Sequence, residues 1–188
     1  SASITAYEMR ASGIPWNFNP VLGLGREPYW PRFWETFGED SYLASQFAVE
    51  YVEGMQGDDM SAPGKGAACV KHYLGYSVPK NGLDRTPAWI PERMLRDIFL
   101  PPFAAGIKAG APTVMVNSAE INGIPSHSDH KILTEILKDE LKFDGFIVSD
   151  WEDIKRLHDR DRVAETPKKA VKMAVMAGMD MSMVPYDY

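Results

Sequence analysis

The sequence predicts an α/β fold built on a parallel sheet, and it favours a partial (β/α)8 (TIM) barrel. Short apolar segments without polar alternation recur along the 188 residues, and segments with helical patterning separate them. Buried strands joined by crossovers of ten or more residues pair in parallel. Polar residues follow several of the apolar segments, as at the rim of a barrel, where the carboxyl ends of the strands meet.

Five segments are predicted as strands because each is a short apolar run bounded by Gly, Pro or polar residues. They cover residues 14–21, 67–73, 113–117, 145–149 and 179–184. A complete barrel has eight strand–helix units. We therefore expect about five of the eight units in this chain, and we expect most of the missing units to precede Ser1.

The segments between the strands are predicted as helices. They cover the helix end at 7–11 and the ranges 41–55, 91–109, 129–141, 152–157 and 167–177. Ser41 can cap its helix, and Pro101 with Pro102 predicts a break within 91–109. A doubly wound open sheet has the same element order, but no Gly-x-Gly-x-x-Gly motif follows a strand, so its dinucleotide-binding form lacks its main signal.

The composition excludes several classes of protein. The chain is 45% hydrophobic and 24% charged with a net charge of -6, which argues against disorder. It has no basic cluster for a nucleic acid and no run of roughly 20 apolar residues for a membrane helix. Its one cysteine, Cys69, cannot form an intrachain disulfide. We predict neither a nucleic-acid partner nor a membrane partner.

Asp150 is the strongest candidate for a catalytic residue. It follows the apolar strand at 145–149 and precedes Trp151. A carboxylate between an apolar strand and the mouth of a barrel suits a nucleophile or a general base, and Trp151 offers a flat face for a sugar ring or an aromatic group. The alternative is that Asp150 caps the helix at 152–157.

Three basic residues are candidates for ligand binding. Lys71 and His72 could hold vicinal hydroxyls, but both reach one ligand only where the strand curls into its loop, because neighbouring strand residues face opposite ways. The alternative is a salt-bridged lysine beside a satisfied core histidine. Arg32 lies in a loop rich in prolines and aromatics, as a ligand wall would be, or it belongs to an ion-pair network with acids such as Glu35.

Other features are predicted to be structural. The methionines between 173 and 183 occur at core-like positions, and the charged run 158–162 is predicted as a solvated loop. His127 and His130 have a spacing that a metal site can use, but no matching acidic pair accompanies them. We predict no metal and no cofactor.

Seven motifs occur in fixed order along the whole chain. They are W-x-F-x-P-V with R-E-P-x-W-x-R and F-G-E-D (16–40), G-x-Q-G (54–57), K-H-Y with G-L-D-R (71–85), L-P-P-F (100–103), V-M-V-N with N-G-x-P (114–125), G-F-I-V-S-D-W (145–151) and A-G-M-D-M-S-M (177–183). With these motifs the sequence resembles the catalytic barrel of glycoside hydrolase family three, and in particular its bacterial β-glucosidase-like branch.

The resemblance implies a role for each matching residue. Asp150 would be the nucleophile of a retaining, exo-acting enzyme, forming a covalent glycosyl-enzyme that water hydrolyses. The three basic candidates would bind sugar hydroxyls in the first subsite, and Lys71 with Arg32 would help to keep Asp150 ionised. Trp151 would line the sugar slot, with Met115 nearby.

The resemblance also implies a substrate and a place in a larger enzyme. The substrate would be an oligosaccharide or β-glucoside that loses glucose-type residues; a β-xylosidase, an exo-glucanase or an inactive sugar-binding fragment are the alternatives. Residues 1–188 would be a fragment of the N-terminal (β/α)8 domain. The early strands, and a following α/β domain with the proton-donating Glu, would belong to the rest of the enzyme. Relatives are mostly exported, which implies a periplasmic or secreted location.

Two positions depart from the family pattern. Many relatives have Tyr where Ser118 stands, so one contact to the ring oxygen or the nucleophile is in question. In the β-N-acetylglucosaminidase branch a second His follows K-H-F-x-G, and Tyr76 fills that place here. Tyr76 therefore argues against the acetylglucosamine branch.

Overall fold

A computed structural model describes residues 1–185, and its centre is a parallel sheet. The strands are β1 (Cys69–Tyr73), β2 (Thr113–Val116), β3 (Glu120–Ile121), β4 (Ile124–Pro125) and β5 (Phe146–Val148). β1, β2 and β5 form the sheet, with β2 in the middle. β3 and β4 form a small antiparallel hairpin. Its turn consists of Asn122 and Gly123, both with positive φ, as a two-residue hairpin turn requires.

Helices connect the strands. They are α1 (Ala2–Ala11), α2 (Ser41–Gln56), α3 (Glu92–Met94), α4 (Leu100–Lys108), α5 (Asp153–Asp159) and α6 (Pro167–Ala177), with π-helical segments at Leu95–Phe99 and Lys131–Glu140 and 3-10 turns at Phe33–Glu35 and Ser126–Ser128. The predicted break near Pro101 is the π-helical segment between α3 and α4. The residue that caps α2 is Asp40 and not Ser41, because the Asp40 carboxylate accepts the N–H of Leu43 at 2.6 Å.

Two predicted strands are extended segments with isolated bridges. Residues 14–21 run parallel to β1 through bridges at Trp16 and Val21, and Pro15 and Pro20 interrupt the ladder because proline has no N–H. On the far side, residues 179–184 run beside β5 with a parallel bridge between Met181 and Val148.

Side chains add to the backbone hydrogen bonds between the segment 179–184 and β5. The Asp180 carboxylate accepts the N–H of Ile147 at 2.9 Å, and the Ser149 hydroxyl accepts the N–H of Met183 at 2.9 Å. Across the sheet the order is therefore 14–21, β1, β2, β5, 179–184. This order follows the sequence without the reversal that a doubly wound sheet has, and it is the order of a partial barrel.

The two faces of the sheet differ. Val70, Val114 and Ile147 point to the helices and belong to the large core. Close packing there requires a glycine on α4, since a Cβ at Gly106 would lie 2.9 Å from Val70 Cγ1. The other face carries a small second cluster of Cys69, Met115 and Val148, with Trp16, Phe18 and Met183 partly buried against it. Alternation along the strands thus separates a helix-covered face from the face that lines a barrel's interior.

Among residues 1–185, no helix is long and apolar enough to cross a membrane.

Candidate active site

Asp150 lies just beyond β5 at the carboxyl end of the sheet, and 6% of its surface is exposed. Its Oδ2 accepts a hydrogen bond from the Ser118 hydroxyl at 2.7 Å, and its Oδ1 accepts the N–H of Trp151 at 2.6 Å. The backbone N–H of Asp150 donates to His127 Nε2 at 3.1 Å. Neighbours on two other segments therefore fix the carboxylate and its backbone.

The alternative role for Asp150, capping the following helix, does not match the structure. α5 begins at Asp153 after Glu152, and no side chain in residues 1–185 caps it. The Asp150 carboxylate instead accepts hydrogen bonds from the Ser118 hydroxyl and the Trp151 N–H.

Arg85 is the cation that pairs with Asp150. Its Nη2 lies 3.6 Å from Asp150 Oδ1, and His72 Nε2 lies 3.7 Å from Oδ2. Arg32, predicted to help keep Asp150 ionised, is held by Glu35 instead through two hydrogen bonds of 2.8 Å. Arg85, in the G-L-D-R motif, therefore takes the place beside the carboxylate that the sequence analysis gave to Arg32.

The environment sets the protonation of this pair. Burial lowers the pKa of His72 well below its usual range, although Asp150 raises it, so the imidazole is neutral at neutral pH. Burial works to raise the pKa of Asp150. The nearby His72, the hydrogen bonds from Ser118 and Trp151 and the positive charge of Arg85 together outweigh burial, so this pKa lies below its usual range. Asp150 is therefore an anion at neutral pH.

Arg32 belongs to the site as well as to an ion pair. Its Nη2 lies 3.4 Å from His72 Nε2, and its guanidinium carbon lies 5.7 Å from the centre of the Tyr76 ring. Because arginine only donates, Nε2 accepts this bond and the proton of His72 sits on Nδ1. His72 Nδ1 is buried and has no hydrogen-bond partner among the described residues. His72 is thus not the satisfied core histidine of the alternative interpretation.

Lys71 shares this side of the site. The register of β1 against β2 shifts between Val70 and Tyr73, so the strand is distorted at the two positions where the prediction requires it. Burial lowers the pKa of Lys71, and Arg32 lowers it further, while Asp150 is among the anions that raise it.

A partly exposed acid, Asp84, joins the two loops that carry Arg32 and Tyr76. The Asp84 carboxylate accepts hydrogen bonds from Trp30 Nε1 at 2.9 Å and from the Tyr76 hydroxyl at 2.7 Å. Tyr76 also meets His72 edge to face, with ring centres 5.2 Å apart. The loop of Arg32 and the loop after β1 are therefore fixed to each other, with Tyr76 in the position where the acetylglucosaminidase branch has its histidine.

The predicted apolar site residues lie at different depths. Trp151 is half-exposed beside Asp150. Met115 is buried with Cys69 and Val148, below the level of Asp150. The structure therefore brings Trp151 to the rim and places Met115 in the layer beneath it.

Two neighbours of Asp150, Arg85 and His127, are not among the site residues predicted from the sequence. Arg85 lies in the quoted G-L-D-R motif, and that motif was the available signal. His127 is buried and bonds to the backbone of Asp150, and burial lowers its pKa. His130 instead lies on the surface, 3.5 Å from Glu135. Within the described residues, no group of three His, Cys, Asp or Glu side chains could hold a metal ion.

Comparison with known proteins decides the family. The model of the family described as "Glycosyl hydrolase family 3 N terminal domain" matches residues 1–188. The chain belongs to glycosyl hydrolase family 3. It is 51% identical over 193 residues to a lysosomal beta glucosidase of Dictyostelium discoideum, covering 100% of this chain and 24% of that protein. The similarity thus extends beyond the bacterial branch that the motifs indicate.

Bacterial relatives carry two different activities in their names. A beta-xylosidase of Formosa agariphila is 38% identical, with 97% of this chain and 26% of that protein covered. A periplasmic beta-glucosidase of Salmonella typhimurium is 35% identical, with 98% and 24% covered. The family 3 chain spans about a quarter of the length of the curated relatives it matches.

Solved structures confirm the fold. A β-glucosidase of Erythrobacter marinus superposes with a TM-score of 0.93 at 35% identity, over 96% of this chain and 24% of that one. A β-glucosidase of Listeria innocua in complex with glucose gives a TM-score of 0.92 at 33% identity, over 97% and 26%. The family 3 fold of this chain is therefore the partial barrel that the sequence predicts.

Proposed function

We propose that the enzyme containing this domain is a retaining, exo-acting β-glucosidase whose nucleophile is Asp150. The observation that carries the proposal is the state of this carboxylate. It is nearly buried, bonded through both oxygens to Ser118 and Trp151, paired with Arg85, and ionised at neutral pH. A fixed carboxylate at the rim of a barrel is what displacement at an anomeric carbon requires.

The reaction takes two steps. A carboxylate oxygen of Asp150 bonds to the anomeric carbon while the glycosidic C–O bond breaks, and the departing oxygen takes a proton from a general acid. Water then attacks the glycosyl-enzyme and gives its proton to the same acid–base residue, which frees Asp150. We place that residue outside residues 1–188, in the three-quarters of the enzyme that this chain does not span.

The basic residues hold the sugar beside Asp150. Arg32 and Lys71 offer donors to hydroxyl groups, and their bonds can tighten as charge develops at the transition state. His72 presents the Nε2 edge of its neutral ring to the same side, 3.4 Å from Arg32 Nη2 and 3.7 Å from Asp150 Oδ2. Trp151 presents its half-exposed face to the ring of the sugar, and Met115 bounds the slot from below.

The direct test is Asp150→Asn in the full-length enzyme. We expect the turnover of nitrophenyl β-glucoside to fall by roughly 10³-fold or more, the scale seen when an enzyme's nucleophile is removed. The matched control is Asp97→Asn, because Asp97 is an exposed acid with a surface ion pair to Arg93. Near-full activity of Asp150→Asn would rule out the nucleophile assignment.

A β-xylosidase is the second candidate, supported by the 38% identity to the Formosa enzyme. An exo-glucanase of the same family is distinguished in the same assay. The full-length enzyme should be compared on nitrophenyl glucoside, xyloside and acetylglucosaminide and on a β-glucan. We expect the highest kcat/KM on the glucoside and the lowest on the acetylglucosaminide; a preference for the xyloside would select the second candidate.

Two further properties follow from the proposal. The 188-residue chain alone should bind sugar weakly and hydrolyse nothing, since a missing general acid costs about 10²–10⁴ in rate. We also propose an exported, periplasmic or secreted enzyme, in line with the periplasmic and lysosomal enzymes among its relatives.

A further inference from the structure

Asp153 is a completely buried carboxylate that the hydrolysis scheme does not use. Its side chain is 0% exposed, and its Oδ1 lies 2.8 Å from Arg156, 3.3 Å from Arg85 and 3.6 Å from Arg160. Its Oδ2 is buried and has no hydrogen-bond partner among the described residues. Three guanidinium groups thus converge on one oxygen of an acid three residues beyond Asp150.

The start of a helix does not explain this acid. Asp153 is the first residue of α5, but no side chain of the described residues caps that helix. A buried charge is costly unless it is paired. The three arginines compensate the buried charge of Asp153. The contacts that those arginines make therefore indicate what Asp153 does.

Arg85 connects Asp153 to the nucleophile. Its Nη1 donates to Asp153 Oδ1 at 3.3 Å, and its Nη2 faces Asp150 Oδ1 at 3.6 Å. The planar guanidinium can bond two carboxylates at once in a fixed geometry, which a lysine cannot do. Neither Arg156 nor Arg160 has an ion pair with Asp150 in residues 1–185.

We propose that Asp153 is a positioning residue for the nucleophile and acts through Arg85, whose guanidinium it holds against Asp150. This inference rests on the proposed function, in which Asp150 is the nucleophile. Without Asp153, Arg85 would turn to Asp84, which already lies 4.0 Å from its Nε, or to solvent. Asp150 would then lose its paired cation.

The other groups that face Asp150 do not replace Arg85. His72 from β1 and His127 from the turn at Ser126–Ser128 are both held neutral by burial. Lys71 has a lowered pKa, and Arg32 is engaged by Glu35. Arg85 is therefore the permanent charge in contact with the carboxylate among the described residues.

The sign of a pH shift tests the proposal. In the full-length enzyme, Asp153→Asn removes a negative charge near Asp150, and that change alone would lower the pKa of Asp150. If Asp153 acts by holding Arg85, losing the paired cation raises this pKa. We expect the acidic limb of kcat/KM to move to higher pH and kcat/KM at neutral pH to fall about tenfold. A limb that stays in place or moves to lower pH would overturn the proposal.

Variants of Arg85 test the same step if Asp153→Asn does not fold. Arg85→Gln should move the acidic limb of kcat/KM to higher pH, as Asp153→Asn does. The double variant should show no larger shift of the limb than Arg85→Gln alone. Arg85→Lys keeps the charge but lacks the planar guanidinium that holds both acids in one geometry, so it should move the acidic limb part of the way to higher pH. A wild-type profile with Lys would contradict a role for the guanidinium geometry. Arg160→Gln is the matched control, because it removes an Asp153 partner without touching Asp150, and it should leave the profile unchanged.

A failure of this inference is distinguishable from a failure of the proposed function. A 2-fluoro glucoside should label Asp150 in both wild type and Asp153→Asn. A label on Asp150 without any pH shift in the variant would remove only the positioning role. A label on another residue would remove the proposed function itself.

Discussion

The helix-facing side of the sheet and its rim differ in how well their buried groups are satisfied. In the large core, Val70, Val114 and Ile147 are fully buried among apolar neighbours. At the rim and in the loops above it, buried polar atoms without a partner occur within residues 1–185: His72 Nδ1, Asp153 Oδ2 and Ser77 Oγ. Native proteins satisfy nearly all buried polar groups, so these exceptions set the rim apart from the core. Those at His72 and Asp153 belong to the network of side chains around Asp150.

The first way to test this comparison is to remove a core side chain. Phe103 is 1% exposed and packs edge to face on Tyr73 at 5.3 Å. Phe103→Ala should lower the free energy of unfolding by about 3–5 kcal/mol through lost burial and a cavity, while each folded molecule keeps its kcat/KM. Denaturant unfolding measures the loss, with the exposed Val175→Ala as a control expected to stay within about 0.5 kcal/mol. A Phe103→Ala loss as small as that of the control would contradict the comparison.

His72→Ala should show the opposite behaviour. The imidazole is neutral, carries an unpartnered buried nitrogen and contacts Arg32 and Asp150. We expect kcat/KM to fall about 10- to 100-fold, the loss that about 1.4–2.7 kcal/mol of transition-state binding produces, with a smaller change in unfolding free energy than Phe103→Ala. His130→Ala, at an exposed histidine, is the control. A large loss of unfolding free energy with unchanged kcat/KM would instead show that His72 is a structural core residue.

Ser118→Ala should have a smaller effect on kcat/KM than His72→Ala. It tests how much the hydrogen bond at the rim lowers the pKa of Asp150. The Ser118 hydroxyl donates to Asp150 Oδ2 at 2.7 Å and lowers the pKa of that carboxyl. Because Asp150 must be ionised to attack, a higher pKa moves the acidic limb of kcat/KM to higher pH. At pH values above that limb, kcat/KM should change little. The pH profile measures the shift. Ser118→Thr keeps a hydroxyl and should keep the wild-type limb; equal limbs in Ala and Thr would disprove the contribution.

How far the sequence predicts the molecule depends on the range of the interactions. β1, β2, β5 and the helices follow from local apolar periods and breakers such as Pro101. The segments 14–21 and 179–184 lie in the predicted strand positions but pair through isolated bridges. Prolines in the first segment have no N–H to donate, and beside the second the Asp180 and Ser149 side chains accept backbone N–H groups.

The candidate site divides in the same way. Asp150 has a local signal, an acid directly after an apolar strand. The contact between Arg85 and Asp153 joins residues 68 positions apart, and no local pattern indicates it. Arg32 was weighed between a ligand wall and an ion pair, and the structure has it bonded to Glu35 and next to His72 at once.

Covalent trapping tests the central claim most directly. The full-length enzyme is incubated with a 2-fluoro β-glucoside, which forms the glycosyl-enzyme but releases it slowly, and the labelled peptide is located by mass spectrometry. Our account predicts one sugar per molecule, attached to Asp150 in the peptide that contains Trp151, and no label in Asp150→Asn. A label on a different carboxyl group, or an undiminished label in Asp150→Asn, would contradict it.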